Sequence, residues 1–226
     1  MSEIFHCFAS PSSRLQLLIL LNSYSSDPSF PTISPTLAAH PLLNSLILSL
    51  EVDDSSTACT VGLTLFTKLI PIFAVHAPDV LKKNLPHFFL ILARVACWEA
   101  RQPYISLFPD VEMPAEEGED TEEGRRDLAT LEIIPHLEWQ RLESTFKVTA
   151  STAPSADRYF THLYYLFPHN VVEFIRHPIQ YLDRAGTECP YVAGWDQVLD
   201  DEKVQKSCEV GTFEAWYVIN AHHLTH

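Results

Sequence analysis

Three histidines close the chain, and His223 with His226 has the i, i+3 spacing that can bring two imidazoles to one metal ion. A metal site needs more ligands than that, and beyond distant Cys208 no thiolate or carboxylate completes the set. His222, His223 and His226 therefore read as solvated terminal side chains. His162 and His169 flank an aromatic cluster, where a neutral imidazole near Glu173 can take or give a proton. Surface histidines at a helix corner explain both without chemistry. Cys59 as a nucleophile with His76 as its base requires the two to meet across about four helical turns and a proline. Burial on an apolar stripe explains Cys59 more simply. The acidic run around Glu116–Glu123 lacks the alternating ligands, central glycine and closing glutamate of a calcium loop. No catalytic, cofactor-binding or metal-ligating residue is assigned, and no cofactor is expected.

The residues left with a binding role are cations. Lys82, Lys83, Arg94 and Arg101 fall on one helical segment and its end, where they can touch anionic lipid head groups if other basic residues join them in space. Arg176 closes an aromatic-rich helix pair. These five are the candidate lipid or partner contacts. Trp139, Trp195 and Trp216 lie in weakly patterned surroundings and suit either an interface anchor or a half-buried core position.

The elements that must position these residues are helical. In 226 residues there are 16 prolines but 6 glycines, whereas tight-turned sheets and phosphate-binding loops consume glycine. A hydrophobic content of 46 % with thirteen Phe, eight Tyr and four Trp is ample for a core. The net charge of −14 argues against nucleic acid as a partner. Half of it is local: residues 110–127 hold nine acids against two arginines, a charge of −7. Five scattered cysteines without a CxxC pair read as reduced thiols of a cytosolic protein. No signal-like start is seen, and no run reaches the roughly 18 apolar residues of a bilayer span.

Along the chain, Ser12 and Ser13 are candidate caps for a helix whose Leu15–Leu21 stretch is apolar nearly all round, which predicts burial on most sides. Asp27–Pro35 predicts a loop or a strained short helix. A second helix opens at Pro41 with the stripe Leu42, Leu43, Leu46, Ile47 and Leu50. Asp53–Ser56 closes it and caps a third, striped by Ala58, Val61, Gly62, Leu65, Phe66, Leu69 and Ile70 and kinked or ended by Pro71. A fourth runs from Asp79 to near Arg101 and Pro103. Helical spacing resumes over Leu128–Phe146, Thr149–Ser155 is a spacer, and Phe160, Leu163, Tyr164 and Phe167 share a face before Pro168 turns the corner to Val171, Val172 and Ile175. Val198–Val210 is a further helical candidate, and Phe213–Ile219 is a short apolar strand or helix.

This succession predicts an all-α HEAT/armadillo-like helical repeat, an α-solenoid, with an irregular helical bundle as the alternative. The parts are residues 1–102 as the first half of the core, 103–127 as a disordered acidic insertion, 128–182 as the second half, and 183–226 as a weakly patterned C-terminal segment.

Three stretches resemble hamartin, the scaffold subunit of the tuberous sclerosis complex. Arg14–Leu21 is similar to the family's Leu-rich helix, and His40–Leu50, followed by Thr60–Ile72, looks like its next two apolar segments. Phe160–Arg176, with its Tyr-Leu-Phe-Pro-His-Asn core, resembles the family's aromatic helix pair around a proline. The likeness covers about residues 14–182 without the acidic insertion, as in a divergent or fungal-like member. Further N-terminal helices and a long C-terminal coiled coil are typical of the family, so the chain is expected to be an N-terminal fragment or a truncated gene model.

The resemblance implies a non-enzymatic helical-repeat scaffold. With a tuberin-like GTPase-activating partner, bound through a coiled coil outside these residues, it would restrain Rheb and TOR kinase signalling. It further implies self-association and peripheral phosphoinositide contact, in the cytoplasm and at a lysosomal or vacuolar membrane. A helical-repeat adaptor of another pathway, such as vesicle traffic, is the alternative.

Overall fold

The computed structural model describes residues 2–98, 132–142 and 154–211. Among these residues the regular elements are helical, apart from one isolated antiparallel bridge between Ile133 and Tyr191. The architecture is the expected all-α helical repeat.

The helices are α1 (Ser2–Phe8), α2 (Pro11–Tyr24), α3 (Phe30–Ala38), α4 (Leu42–Val52), α5 (Ser56–His76), α6 (Pro78–Lys83) and α7 (Leu85–Ala96). After the strap of residues 132–142, with its single 3-10 turn at Pro135–Leu137, follow α8 (Asp157–Leu166), α9 (Pro168–Arg176), α10 (Pro178–Arg184), α11 (Trp195–Val198) and α12 (Asp201–Gly211). Proline sits in the first turn of α2, α3, α6, α7, α9 and α10, where its missing N–H costs nothing and its fixed φ suits the helix. The residues ahead of Pro78, Pro168 and Pro178 are Ala77, Phe167 and His177, with φ between −150 and −137° and ψ between 53 and 70°. A proline disfavours the α region for its predecessor, so each X-Pro step ends one helix and starts the next within a single residue.

Helix α5 is the centre, packing against α2, α3, α4 and α8. Its buried stripe of Ala58, Gly62, Leu65, Phe66, Leu69 and Ile70 matches the expected face, and Ser55 caps it by accepting the Ala58 N–H at 3.3 Å. The helix runs through Pro71 to His76 instead of ending there. With 21 residues it has the length and composition of a membrane span, a correction to the reading that no segment does. Half of that window is buried in the fold, as suits a core helix. The second layer is α7, packed on α4, α10 and α12, with α9 joining α8, α10 and α12. Phe89 stacks on Phe174 at 4.9 Å between centroids, and Tyr181 meets both rings edge-on.

Four expectations change. Helix α2 starts after Ser10 with Pro11 in its first turn, and its outer side leaves Ile19 and Leu20 about half exposed, so it is not buried all round. Asp27–Pro35 contributes to a true helix, α3, that contains Pro35. The single helix from Asp79 is two, because Pro86 restarts the chain after Asn84. Residues 132–142 are not α-helical: main-chain bonds that would close a helix instead reach Pro190, Val192 and Asp54. The acidic insertion, Arg101, Trp216, Phe213–Ile219 and the terminal histidines lie outside the described residues.

Gly62 faces Leu50 so closely that an added Cβ would stand 2.6 Å from Leu50 Cδ2. Helix propensity favours alanine over glycine by about 1 kcal/mol, but overpacking a buried contact costs about 1–3 kcal/mol. Gly62→Ala is expected to lower thermal stability; an unchanged or raised melting temperature would show that the Leu50 side chain yields to the added methyl.

Candidate functional site

The cations expected at a surface separate. Lys82 and Lys83 are exposed at the end of α6, and Arg176 is exposed at the end of α9. Arg94 is fully buried and is withdrawn as a lipid contact. It had looked like a surface residue because it sits in the last turn of an apolar helix, where a cation complements the carbonyl end. Here the carbonyls it complements belong to another helix.

The C-terminus of α4 and the corner that follows form a buried polar hub. Arg94 donates from Nη1 to the Leu50 carbonyl at 2.8 Å and from Nη2 to the Asp53 carbonyl and to Asp54 Oδ1. Tyr191 donates its hydroxyl to the Glu51 carbonyl at 2.9 Å. The Leu50 and Glu51 carbonyls, left open by the helix end, are thereby satisfied.

Arg14, fully buried on α2, approaches the same corner from the opposite side. Its Nη1 donates to Asp53 Oδ1 at 2.7 Å, its Nε to the Phe8 carbonyl at 3.1 Å, and its Nη2 to the Ala9 and Gln140 carbonyls at 2.9 and 3.0 Å. Burial draws the guanidinium below its ordinary value, and Asp53 pulls it back by charge and hydrogen bond. Asp53 accepts three more bonds: Ser49 Oγ at 2.6 Å, Trp139 Nε1 at 3.1 Å and the Leu142 N–H at 2.9 Å. The Trp139 ring lies 3.9 Å from the Arg14 guanidinium carbon, a cation–π contact at the core boundary. Arg141 pairs with Asp54 at 3.2 Å and lies over the Tyr191 ring.

One titratable pair sits beside the hub. Glu51 is buried and its Oε1 is 2.8 Å from His87 Nδ1 on α7. Burial raises the Glu51 carboxyl above its usual range, against the opposing pull of His87 and Arg94. The hydrogen bond to Glu51 raises His87, against burial. Tyr159, also buried, is held well above the usual phenol range by burial and by Glu51 and Cys59, and donates to the Phe88 carbonyl at 2.9 Å.

The pairing of Cys59 with His76 does not assemble. Cys59 is buried near the start of α5 and His76 is exposed at its end, about 25 Å away at the rise of an α-helix. Glu173 pairs with Arg184. Among the described residues no group of three His, Cys, Asp or Glu could hold a metal ion. Trp139 is half-buried against the core and Trp195 is buried. Arg14, Asp53, Glu51 and His87 escaped the sequence reading; the signal was polar residues on or beside leucine-rich stripes, at Arg14 before Leu15 and at Glu51 after Leu50.

This is the class of all-α helical-repeat proteins, with a polar hub that joins helices distant in sequence. No family model matches the chain, and no curated protein does. Among solved structures, the "TSC1 N-terminal domain" is similar over 92 % of this chain with a TM-score of 0.57 and 19 % sequence identity. The fold is therefore that of the hamartin N-terminal domain, in agreement with the sequence resemblance. The chain spans 43 % of that structure's length.

Removing one partner of a buried ion pair strands the other, so Asp53→Ala is expected to destabilise by about 3–5 kcal/mol. Trp139→Phe, which loses only the indole donor and keeps a ring over Arg14, should cost about 1 kcal/mol. Urea unfolding of both variants checks the order; equal losses would mean that Asp53 is not the shared acceptor.

His87 holds its proton more tightly when folded, so its stabilisation is complete below its ordinary value of 6.5 and is lost as pH rises through the raised folded value. Glu51 is raised as well and pushes in the same direction, starting above its ordinary value of 4.5. The melting temperature is expected to fall by a few degrees between pH 6 and pH 8.5 and to fall less in His87→Gln. A His87→Gln profile parallel to wild type over that window would remove His87 as its cause.

Proposed function

We propose that the chain is a non-enzymatic scaffold domain of the hamartin type, which acts with a tuberin-like GTPase-activating partner to restrain Rheb and TOR kinase signalling. The observation that carries this reading is the likeness to the "TSC1 N-terminal domain" over 92 % of the chain, joined to the sequence resemblance at Phe160–Arg176. The packing supports a structural role: the charged groups of the interior are spent on each other and on helix ends. The partner's contact is assigned to a coiled coil beyond these residues, and self-association to the domain itself. The working location is the cytoplasm, with peripheral attachment to a lysosomal or vacuolar membrane. Of the candidate cations, Lys82, Lys83 and Arg176 are exposed, and the two lysines carry that attachment.

Affinity purification of the endogenous, tagged gene product is expected to recover a GTPase-activating partner, and its loss is expected to raise TOR-dependent phosphorylation. Reproducible absence of such a partner would contradict the assignment. For the membrane step, sedimentation with phosphoinositide liposomes should exceed that with neutral liposomes, and Lys82→Glu with Lys83→Glu should reduce the bound fraction several-fold. Equal sedimentation of wild type with both liposomes would remove lipid contact from the scheme.

A further inference from the structure

The strap Glu132–Leu142 is held unlike any helix in the fold. None of its residues is fully buried, whereas every α-helix of α2 to α11 buries at least one side chain completely or nearly so. Five of its bonds involve its own main chain: Ile134 N–H to the Pro190 carbonyl, Val192 N–H to the Glu132 carbonyl, Arg14 to the Gln140 carbonyl, Leu142 N–H to Asp53, and Asp54 N–H to the Leu142 carbonyl, all between 2.9 and 3.0 Å. Main-chain pairing of this kind is how folded domains hold an extended peptide while reading few of its side chains. The side chains that are read lie together at one end. Trp139 is sandwiched near Phe8 and under Arg14 and bonds Asp53; Arg141 pairs with Asp54 over Tyr191. Glu132, Pro135, His136, Glu138 and Gln140 face solvent. Glu138 adopts φ 47°, the left-handed region that disfavours a side chain, so the seated conformation carries local strain.

We propose that the cleft between Phe8–Arg14, the Asp53–Asp54 corner and the Pro190–Val192 turn is a peptide-binding groove, that the strap is its built-in occupant, and that a partner segment of the pattern Trp-x-Arg-aliphatic displaces it. When the strap leaves, Arg14 keeps Asp53 and the Phe8 and Ala9 carbonyls and Arg94 keeps the corner, while Asp53 gives up Trp139 and Leu142 and Arg14 gives up Gln140, groups that an incoming segment of the same pattern replaces. The strap, by contrast, loses main-chain bonds, the Trp139 contacts, the Arg141–Asp54 pair and the packing of Ile133 and Leu142, none of them from a fully buried residue, and elements without a fully buried residue open ahead of the core. In the resting chain the tethered strap competes at an effective concentration in the millimolar range, so a free peptide meets an occupied groove.

The test uses a fluorescein-labelled peptide of the Glu132–Leu142 sequence and fluorescence anisotropy on the full chain. Trp139→Ala, which weakens the tethered occupant, should bind the peptide about ten-fold more tightly than wild type. The same peptide carrying Trp139→Ala should bind neither chain. Equal binding to both chains, or no binding to a Trp139→Ala chain with native helicity, overturns the proposal. So does loss of native helicity in Trp139→Ala, which would make the strap part of the core. Amide exchange in wild type gives an independent reading. The Leu142 and Ile134 amides should exchange at least about ten-fold faster than that of Phe66 in α5, and protection equal to Phe66 would also overturn it.

Discussion

The ion pair between Arg14 and Asp53 is the constraint on which the arrangement of the chain depends. Two charges taken out of water cost several kcal/mol each, and their attraction repays that only if the remaining donors and lone pairs are satisfied. Arg14 meets the requirement with the carbonyls of Phe8, Ala9 and Gln140, and Asp53 with Ser49, Trp139 and Leu142. The end of α1, the start of α2, the close of α4 and a segment seated where the strap lies must therefore meet at one point. Apolar burial brings helices together without fixing their register, and this set of directional bonds fixes it.

The close of α4 carries a second layer of the same logic. A helix that ends in the core leaves carbonyls that need donors, and Arg94 from α7 and Tyr191 from the distant turn supply them. The result ties residues 50–54 to residue 94 and to residue 191, so the first and last parts of the described chain share one core. The Glu51–His87 pair sits on this junction and couples its stability to protonation. Tyr191 closes the circuit, since its hydroxyl holds α4, its main chain neighbours the strap, and its ring lies under Arg141.

Much of the helical frame was legible in the residues. The stripe on α4 and the stripe on α5 are buried as their spacing implied, and Pro168 and Pro178 turn corners because proline both ends one helix and begins another. What escaped was of a different physical kind. Residues 132–142 have helical spacing, yet their backbone donors and acceptors find better-placed partners far away in the chain, which no local pattern reveals. Arg94 looked like a surface cation because charge is rarely buried without a partner, and its partners are main-chain carbonyls, which leave no mark in a sequence. The continuous leucines of α2 promised burial on every side, but a helix at the margin of two layers covers only one face.

The likeness to the hamartin N-terminal domain places these devices in a helical-repeat setting, where neighbouring helices support one another. The hub is a long-range polar clasp beside the long-range packing of α5 on α8 and of α7 on α10 and α12. A double-mutant cycle on Arg14→Met and Asp53→Asn, read by urea unfolding, tests its role most directly. Strong coupling is expected, with the double variant recovering about 2 kcal/mol or more relative to the sum of the single losses. Additive losses, with coupling near zero, would contradict the claim that this pair organises the fold.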